Sequence, residues 1–200
     1  MKKLLIFISI AVLAWCLFAP KPKAHWSGQL APLEPVQTDT DLHSAWTWGK
    51  NTITPMARYQ IRAVVLSKYH YWAGATEDEI APYDLVLGWG PMSDAAVINA
   101  LKISQSGRWY NYYWKGSPPP IAPGEIASHS ANNHIVAADR KVLGQIEAIK
   151  RFDVVSLRGY LVNITRPDGW SWSTSLTRDD TRGGACELFW VESVERISQP

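Results

Sequence analysis

The stretch Glu125–Ala137 (EIASHSANNHIVA) is the densest polar cluster in the chain. It holds Ser128, His129, Ser130, Asn132, Asn133 and His134. Histidine titrates near neutral pH and serves as acid/base group and metal ligand. His129 and His134 are therefore the candidates for catalysis or for holding a metal, with Ser130 as a candidate nucleophile. The spacing works against a helical zinc site, which sets two histidines four apart with a glutamate between them. Here they are five apart with no carboxylate between. On a strand, that spacing puts them on opposite faces. No G-x-S-x-G elbow surrounds Ser128 or Ser130. The competing reading is a polar loop whose Asn and His side chains satisfy buried backbone groups.

Three other stretches carry chemistry-bearing residues. Arg178-Asp179-Asp180-Thr181-Arg182 offers paired carboxylates, but its arginines neutralise them, and a charged connection between strands fits equally. Gly88-Trp89-Gly90-Pro91-Met92-Ser93-Asp94 opens a helix and lacks the Gly-Lys-Ser/Thr of a phosphate loop. The third is aromatic: eleven tryptophans stand out in the composition. Trp109 and Tyr113 alternate onto one face of a strand, Tyr110, Tyr112 and Trp114 onto the other, so one face is core and the other a surface. Trp170 and Trp172 share a face in the same way. Aromatics at alternate positions stack on sugar rings or bases, especially beside arginine. Trp89, Tyr112, Trp114, Asn133, Trp170, Trp172 and Arg178 are the candidate binding residues. Cys186 opens a strand-like run and reads as a small buried apolar residue.

These groups need a scaffold. Tyr59–Ser67 and Tyr83–Leu87 read as strands. Ser93 caps a helix whose apolar face runs through Ala96, Val97, Ala100 and Leu101 to Ser104, with Gly107 ending the segment. Arg108–Trp114 is a strand, and the proline-rich stretch from Gly116 to Gly124 a stiff loop. Asp139 caps a second helix reaching Lys150, with a stripe of Val142, Leu143, Ile146 and Ile149. Strands follow at Asp153–Ile164, Trp170–Leu176 and Ala185–Val194. The expected fold class is α+β, antiparallel strands with two helices. A glycine inside FDVVSLRGYLV suggests a bend, as in small barrels. In that pattern the stretch from Asp153 to Val194 resembles an OB-like or SH3-like β-barrel piece.

Composition and the N-terminus set the compartment. The chain has 200 residues, is 46% hydrophobic and 19% charged, and carries a formal charge of +2. That excludes a disordered chain and a strongly basic nucleic-acid binder. Met1-Lys2-Lys3 precedes an apolar run from Leu4 to Ala19, broken only by Ser9 and ended by Pro20-Lys21-Pro22-Lys23. This is an export signal. Sixteen helical residues reach about 24 Å, short of a ~30 Å hydrocarbon core, which favours a signal peptide. Cleavage chemistry favours an uncleaved anchor, because Leu17 and Pro20 flank the small Ala19. Trp15 before Cys16 disfavours a lipidation site. The expected organisation is a signal anchor or signal peptide over 1–23, a linker or irregular lead-in over 24–54, and a single globular domain over 55–200.

The leading expectation is a membrane-anchored or exported periplasmic domain, attached through residues 4–19. It binds a protein partner or an envelope glycan and has no catalysis of its own. The alternative is an exported hydrolase, metal-dependent or not, using His129 and His134 with Asp179 or Asp180. A third is an OB-like nucleic-acid binder, against which the near-neutral charge weighs. No residue pattern specifies a cofactor.

Overall fold

Along Ala57–Val65 every second side chain is apolar and buried, while Arg58, Gln60 and Arg62 between them face solvent. That period of two builds the longest strand of the protein. The structure is a computed structural model and describes residues 22–39, 43–72, 74–177 and 186–198. In chain order its elements are β1 (Val36–Thr38), β2 (Trp46–Trp48), β3 (Asn51–His70), α1 (Thr76–Ile80), β4 (Tyr83–Gly88), a 3-10 turn at Gly90–Ser93, α2 (Ala95–Ala100), β5 (Leu101–Ser106), β6 (Trp109–Trp114), α3 (Pro123–Ser128), β7 (Ser130–Ala137), α4 (Arg140–Ala148), β8 (Val154–Thr165), β9 (Ser171–Trp172) and β10 (Glu187–Ile197).

Five strands close a ring in the order β3-β4-β7-β10-β8, and β8 pairs back onto β3. Tyr59, Ile61, Leu85, Leu87, Ile135, Leu157, Leu161, Phe189 and Val191 form one buried cluster drawn from all five strands, which is the ring's interior. Helix α4 adds Val142, Ile146 and Ile149 to it. Two further clusters cover the outside. One packs Trp46, Trp48, Trp170 and Trp172 around Tyr160, Val162 and Trp190. The other packs Tyr110, Tyr112 and Trp114 around Leu66, Val86, Met92 and Ile98.

The α+β class holds, with a β-rich ring of strands and four α-helices among the described residues. Several details differ from the sequence reading. Two short helices, α1 and α3, add to the two expected, and the strand expected over Trp170–Leu176 is only β9, Ser171–Trp172. The ring runs from β3 to β10, so it is not confined to the C-terminal part. One pair, β7 with β10, is parallel. The chain between them crosses through α4 and β8, long enough to bring β10 back in the same direction. The helix expected from Ser93 to Ser104 is only Ala95–Ala100, capped by Asp94 Oδ1 accepting from the Ala96 amide at 2.8 Å. From Leu101 the pattern switches to period two (Leu101, Ile103 and Gln105 inward), and the segment pairs with β6 as a hairpin. The lead-in is partly ordered on the barrel, with β1 and β2 both pairing with β3.

Gly159 makes ring closure possible. A Cβ there would run into the carbonyl oxygen of Trp190 on β10, where the register slips between Val191 and Ser193. The sequence expectation of a bend at this glycine is met by close approach of two backbones. A second device fixes α4. Lys68 Nζ donates to the carbonyls of Ile146, Glu147 and Ile149 at 2.7, 2.8 and 3.1 Å, placing a cation on the helix C-terminus. Gly159→Ala is expected to cost about 3 kcal/mol or more, since the obstructing atom is backbone and cannot swing aside. Denaturant unfolding of the variant against the parent protein measures this, and an unchanged midpoint would contradict it.

Candidate functional site

Asp84 sits in the middle of the apolar run Tyr83–Leu87 and is fully buried. A buried carboxylate must be paired or heavily hydrogen-bonded, and Asp84 is both. Oδ1 accepts from Arg108 Nη1 and from His134 Nδ1, each at 2.8 Å. Oδ2 accepts from the Tyr71 hydroxyl at 3.0 Å and from Asn132 Nδ2 at 3.2 Å. The donors come from the end of β3, the β5–β6 hairpin and β7. Register places Asp84 directly opposite His134 across the β4–β7 ladder.

Arg108 is the keystone. It follows Gly107 in a two-residue turn, and both residues lie in the left-handed region (φ 56° and 69°), as a tight hairpin demands. Its Nη1 also donates to the Ala81 carbonyl at 2.8 Å, and Nη2 pairs with Asp78 on α1 at 2.7 Å. Its guanidinium lies 3.7 Å from the centre of the Tyr71 ring. The Arg108 amide donates to the Tyr71 oxygen at 3.0 Å. Burial, reinforced by the negative charge of Asp84, keeps the Tyr71 hydroxyl protonated well above its ordinary range, so it acts as a donor to Asp84. One side chain therefore pins the hairpin tip to α1 and to the barrel.

His134 has its Nδ1 committed to Asp84, while Nε2 makes no hydrogen bond among the described residues. The ring is covered by Trp172, whose centroid lies 4.9 Å away. Trp172 also faces Arg108 at 5.5 Å. Cys186 borders the same cluster. It is half-buried rather than core, with Sγ 3.9 Å from the Arg108 carbonyl and 4.0 Å from Asn132 Nδ2. The polar side chains of the neighbouring strand explain the departure from the apolar setting expected for it.

His129 belongs elsewhere. It ends α3, donating from Nδ1 to the Glu125 carbonyl at 2.8 Å, with Nε2 at 3.2 Å from Glu34 Oε1. Glu34 Oε2 also accepts from Trp89 Nε1 at 2.7 Å, so this carboxylate fastens the lead-in to the barrel. The two histidines head separate clusters and are not brought together. Among the described residues no group of three or more His, Cys, Asp or Glu could hold a metal ion. Ser130 donates to the Ile126 carbonyl at 2.6 Å and lies 3.2 Å from the Tyr110 hydroxyl, which burial keeps protonated. It has no histidine partner there.

The remaining sequence candidates divide by depth. Trp89 is buried at 1% exposure and Asn133 at 0%, both within the fold, so neither reaches solvent. Tyr112 and Trp114 lie on the inner face of the hairpin, against the barrel. Trp170 donates to Glu77 at 3.2 Å and packs under Arg166. Arg178, Asp179 and Asp180 lie outside the described residues. The outer face of the hairpin carries Trp109 and Tyr113, 48% and 43% exposed. Asn111 lies between them, paired with Ser104, and Trp109 pairs with Ser106.

Sequence reasoning missed Asp84, Arg108, Tyr71 and Asp78. A signal existed for Asp84, since a charge inside a run otherwise fit for a fully buried strand needs a partner. Nothing local points to Arg108, because its partners are distant in sequence. Comparison of the chain with protein-family models, curated proteins and solved structures gave no match.

Arg108→Ala strands the buried carboxylate and is expected to cost about 3–5 kcal/mol. Arg108→Lys should recover little, because a single ammonium cannot reach Asp78, Asp84 and Ala81 in the geometry of the fork. Thermal unfolding together with amide exchange across 101–114 checks this. The hairpin amides should lose protection ahead of those of β3.

Proposed function

We propose that the protein is an exported, membrane-anchored binding module that takes an envelope glycan on the outer face of the β5–β6 hairpin. One observation carries the reading: Trp109, Asn111 and Tyr113 alternate outward opposite Ser106, Ser104 and Lys102. This is an aromatic platform edged with hydroxyl, amide and ammonium groups, on which sugar rings stack while their hydroxyls find partners. Lys102 Nζ lies 5.0 Å from the centre of the Tyr113 ring. The platform is pre-organised, since Arg108 ties its tip and Tyr110, Tyr112 and Trp114 fasten its underside, so little ordering entropy is lost on binding.

The strand order of the ring, with its one parallel pair and a helix between the third and fourth strands, supports reading the barrel as OB-like. Such barrels take oligonucleotides or oligosaccharides on the face of their second and third strands. Here those strands are β4 and β7, and the hairpin inserted between them lies over that face. The ligand surface moves one layer outward, onto the hairpin. The near-neutral charge favours a sugar over a nucleic acid.

A second reading rests on the His134–Asp84 pair. A carboxylate orienting Nδ1 leaves Nε2 as a proton acceptor, as hydrolases require. The Arg108 guanidinium on the same carboxylate weakens that reading, because it offsets the negative charge that would stabilise an imidazolium.

Titration of the intact protein with soluble envelope oligosaccharides, by calorimetry, tests the proposal. Trp109→Ala and Tyr113→Ala should each weaken binding by about tenfold or more while the melting temperature stays put. His134→Ala should bind as the parent does. No heat with any glycan would overturn the reading, and loss of turnover of a model ester or peptide in His134→Ala would put the hydrolase in its place.

A further inference from the structure

The chain is fixed to the barrel almost as soon as the apolar run ends. Ala24 exchanges two hydrogen bonds with the Asn99 side chain, at 3.0 and 2.9 Å. Trp26 donates to the Ser93 carbonyl at 2.9 Å and sets its ring edge-on to Phe152, 6.0 Å between centroids. Ala19 is the last residue of the apolar run. From Ala19 to Ala24 an extended chain spans no more than about 18 Å. If residues 4–19 are a membrane anchor, the domain is not a body on a long tether. Its Trp26–Phe152 end is held near the headgroups.

That end is built for such a neighbour. Beside Phe152 a cleft of about 460 Å³ is lined by Arg151, Phe152, Asp153, Arg196, Ile197 and Ser198. Arg151 stands over the Phe152 ring at 4.5 Å, its Nε donating to the Leu66 carbonyl at 2.9 Å. Arg196 Nε pairs with Asp153 at 2.9 Å. The Nη donors of both guanidiniums make no hydrogen bond among the described residues. Asp153 is the acid in the lining, and it is engaged by Arg196 and by the Lys150 amide. Lys150, next to Arg151 in the chain, and Lys23, just before Ala24, are exposed, as is Glu195 beside Arg196. Half-buried aromatics flanked by basic side chains are the pattern of a membrane interface.

We propose that this end of the barrel rests on an anionic phospholipid surface, with lipid phosphates entering the cleft between Arg151 and Arg196. The proposal rests on the reading of residues 4–19 as an anchor, and it fixes which way the domain points. The hairpin tip at Gly107–Trp109, tied to Asp84 at the other end of β4, faces away from the bilayer.

The test uses the full chain in nanodiscs of phosphatidylcholine, with or without phosphatidylglycerol, and a spin label on the lipid headgroup. Amide signals of Phe152 and Arg196 should broaden, more so with phosphatidylglycerol, while Gly107 and Trp109 stay sharp. Removing Lys150 and Arg196 charges (Lys150→Gln with Arg196→Gln) should abolish the lipid dependence. Equal broadening at the tip and at Phe152, or indifference to both lipid and variant, overturns the surface. Intact mass of the membrane-extracted protein reports on the anchor separately. If residues 1–19 are gone, the released chain is floated with phosphatidylglycerol vesicles. Binding that the double variant weakens about 25-fold, about fivefold for each charge, supports the surface. Failure to float overturns it.

Discussion

The architecture turns on the fully buried carboxylate of Asp84. Asp84 occupies a position where its neighbours along the strand demand an apolar residue, and the price of placing it there is met by four donors that arrive from separate parts of the chain. Three of those donors are fixed in turn by a second polar contact. Tyr71 also takes the Arg108 amide, Asn132 takes Gln105 Nε2 at 2.9 Å, and Arg108 reaches α1. The network joins the barrel, the hairpin and α1 into one polar joint within an otherwise apolar shell. Apolar packing alone would leave the hairpin free to slide, because hydrophobic contact is non-directional. The forked guanidinium supplies the direction.

The hairpin changes what the barrel can present. Its inner aromatic face seals β4 and β7, so the residues of those strands become interior although they lie outside the ring. His134 is caught in the same way, between the barrel wall and Trp172. The aromatic richness of the sequence is thus spent on two different tasks. Trp46, Trp48 and Trp190 stack edge-to-face as a second core, with ring centroids 5.3 and 5.5 Å apart. Trp109 and Tyr113 are left in water.

What was legible in the sequence follows from range. The strands at Tyr83–Leu87 and Asp153–Ile164, the Asp139 cap and the two-faced character of Arg108–Trp114 depend on local period and capping, and they read correctly from neighbours in sequence. The helix beyond Ala100 was misread because Ala96, Val97, Ala100 and Leu101 fit a helical stripe, while Leu101, Ile103 and Gln105 fit a strand, and only the partner strand decides. The candidate site was half legible. His134 stood out by type, but its partner Asp84 is 50 residues away. His129 was grouped with it by proximity along the chain, yet one residue ends a helix and the other faces outward from a strand. Strand period separates them onto two faces, but not onto two elements, as the end of α3 and β7 do here.

The ring is closed by β3 and β8, whose register joins Thr52 to Thr165 and Val64 to Val154. A chain that emerges from its N-terminus presents the apolar alternation of β3 long before the strand that will cover one of its edges exists. The early partners β1, β2 and β4 all take the opposite edge, and the edge from Thr52 to Val64 waits for β8. Contacts of such long range close slowly, because loop entropy must be overcome first. An unpaired apolar edge is meanwhile a template for other chains. The same closure that leaves the finished barrel without a raw edge makes the nascent chain dependent on being kept apart from its copies until β10 has been added.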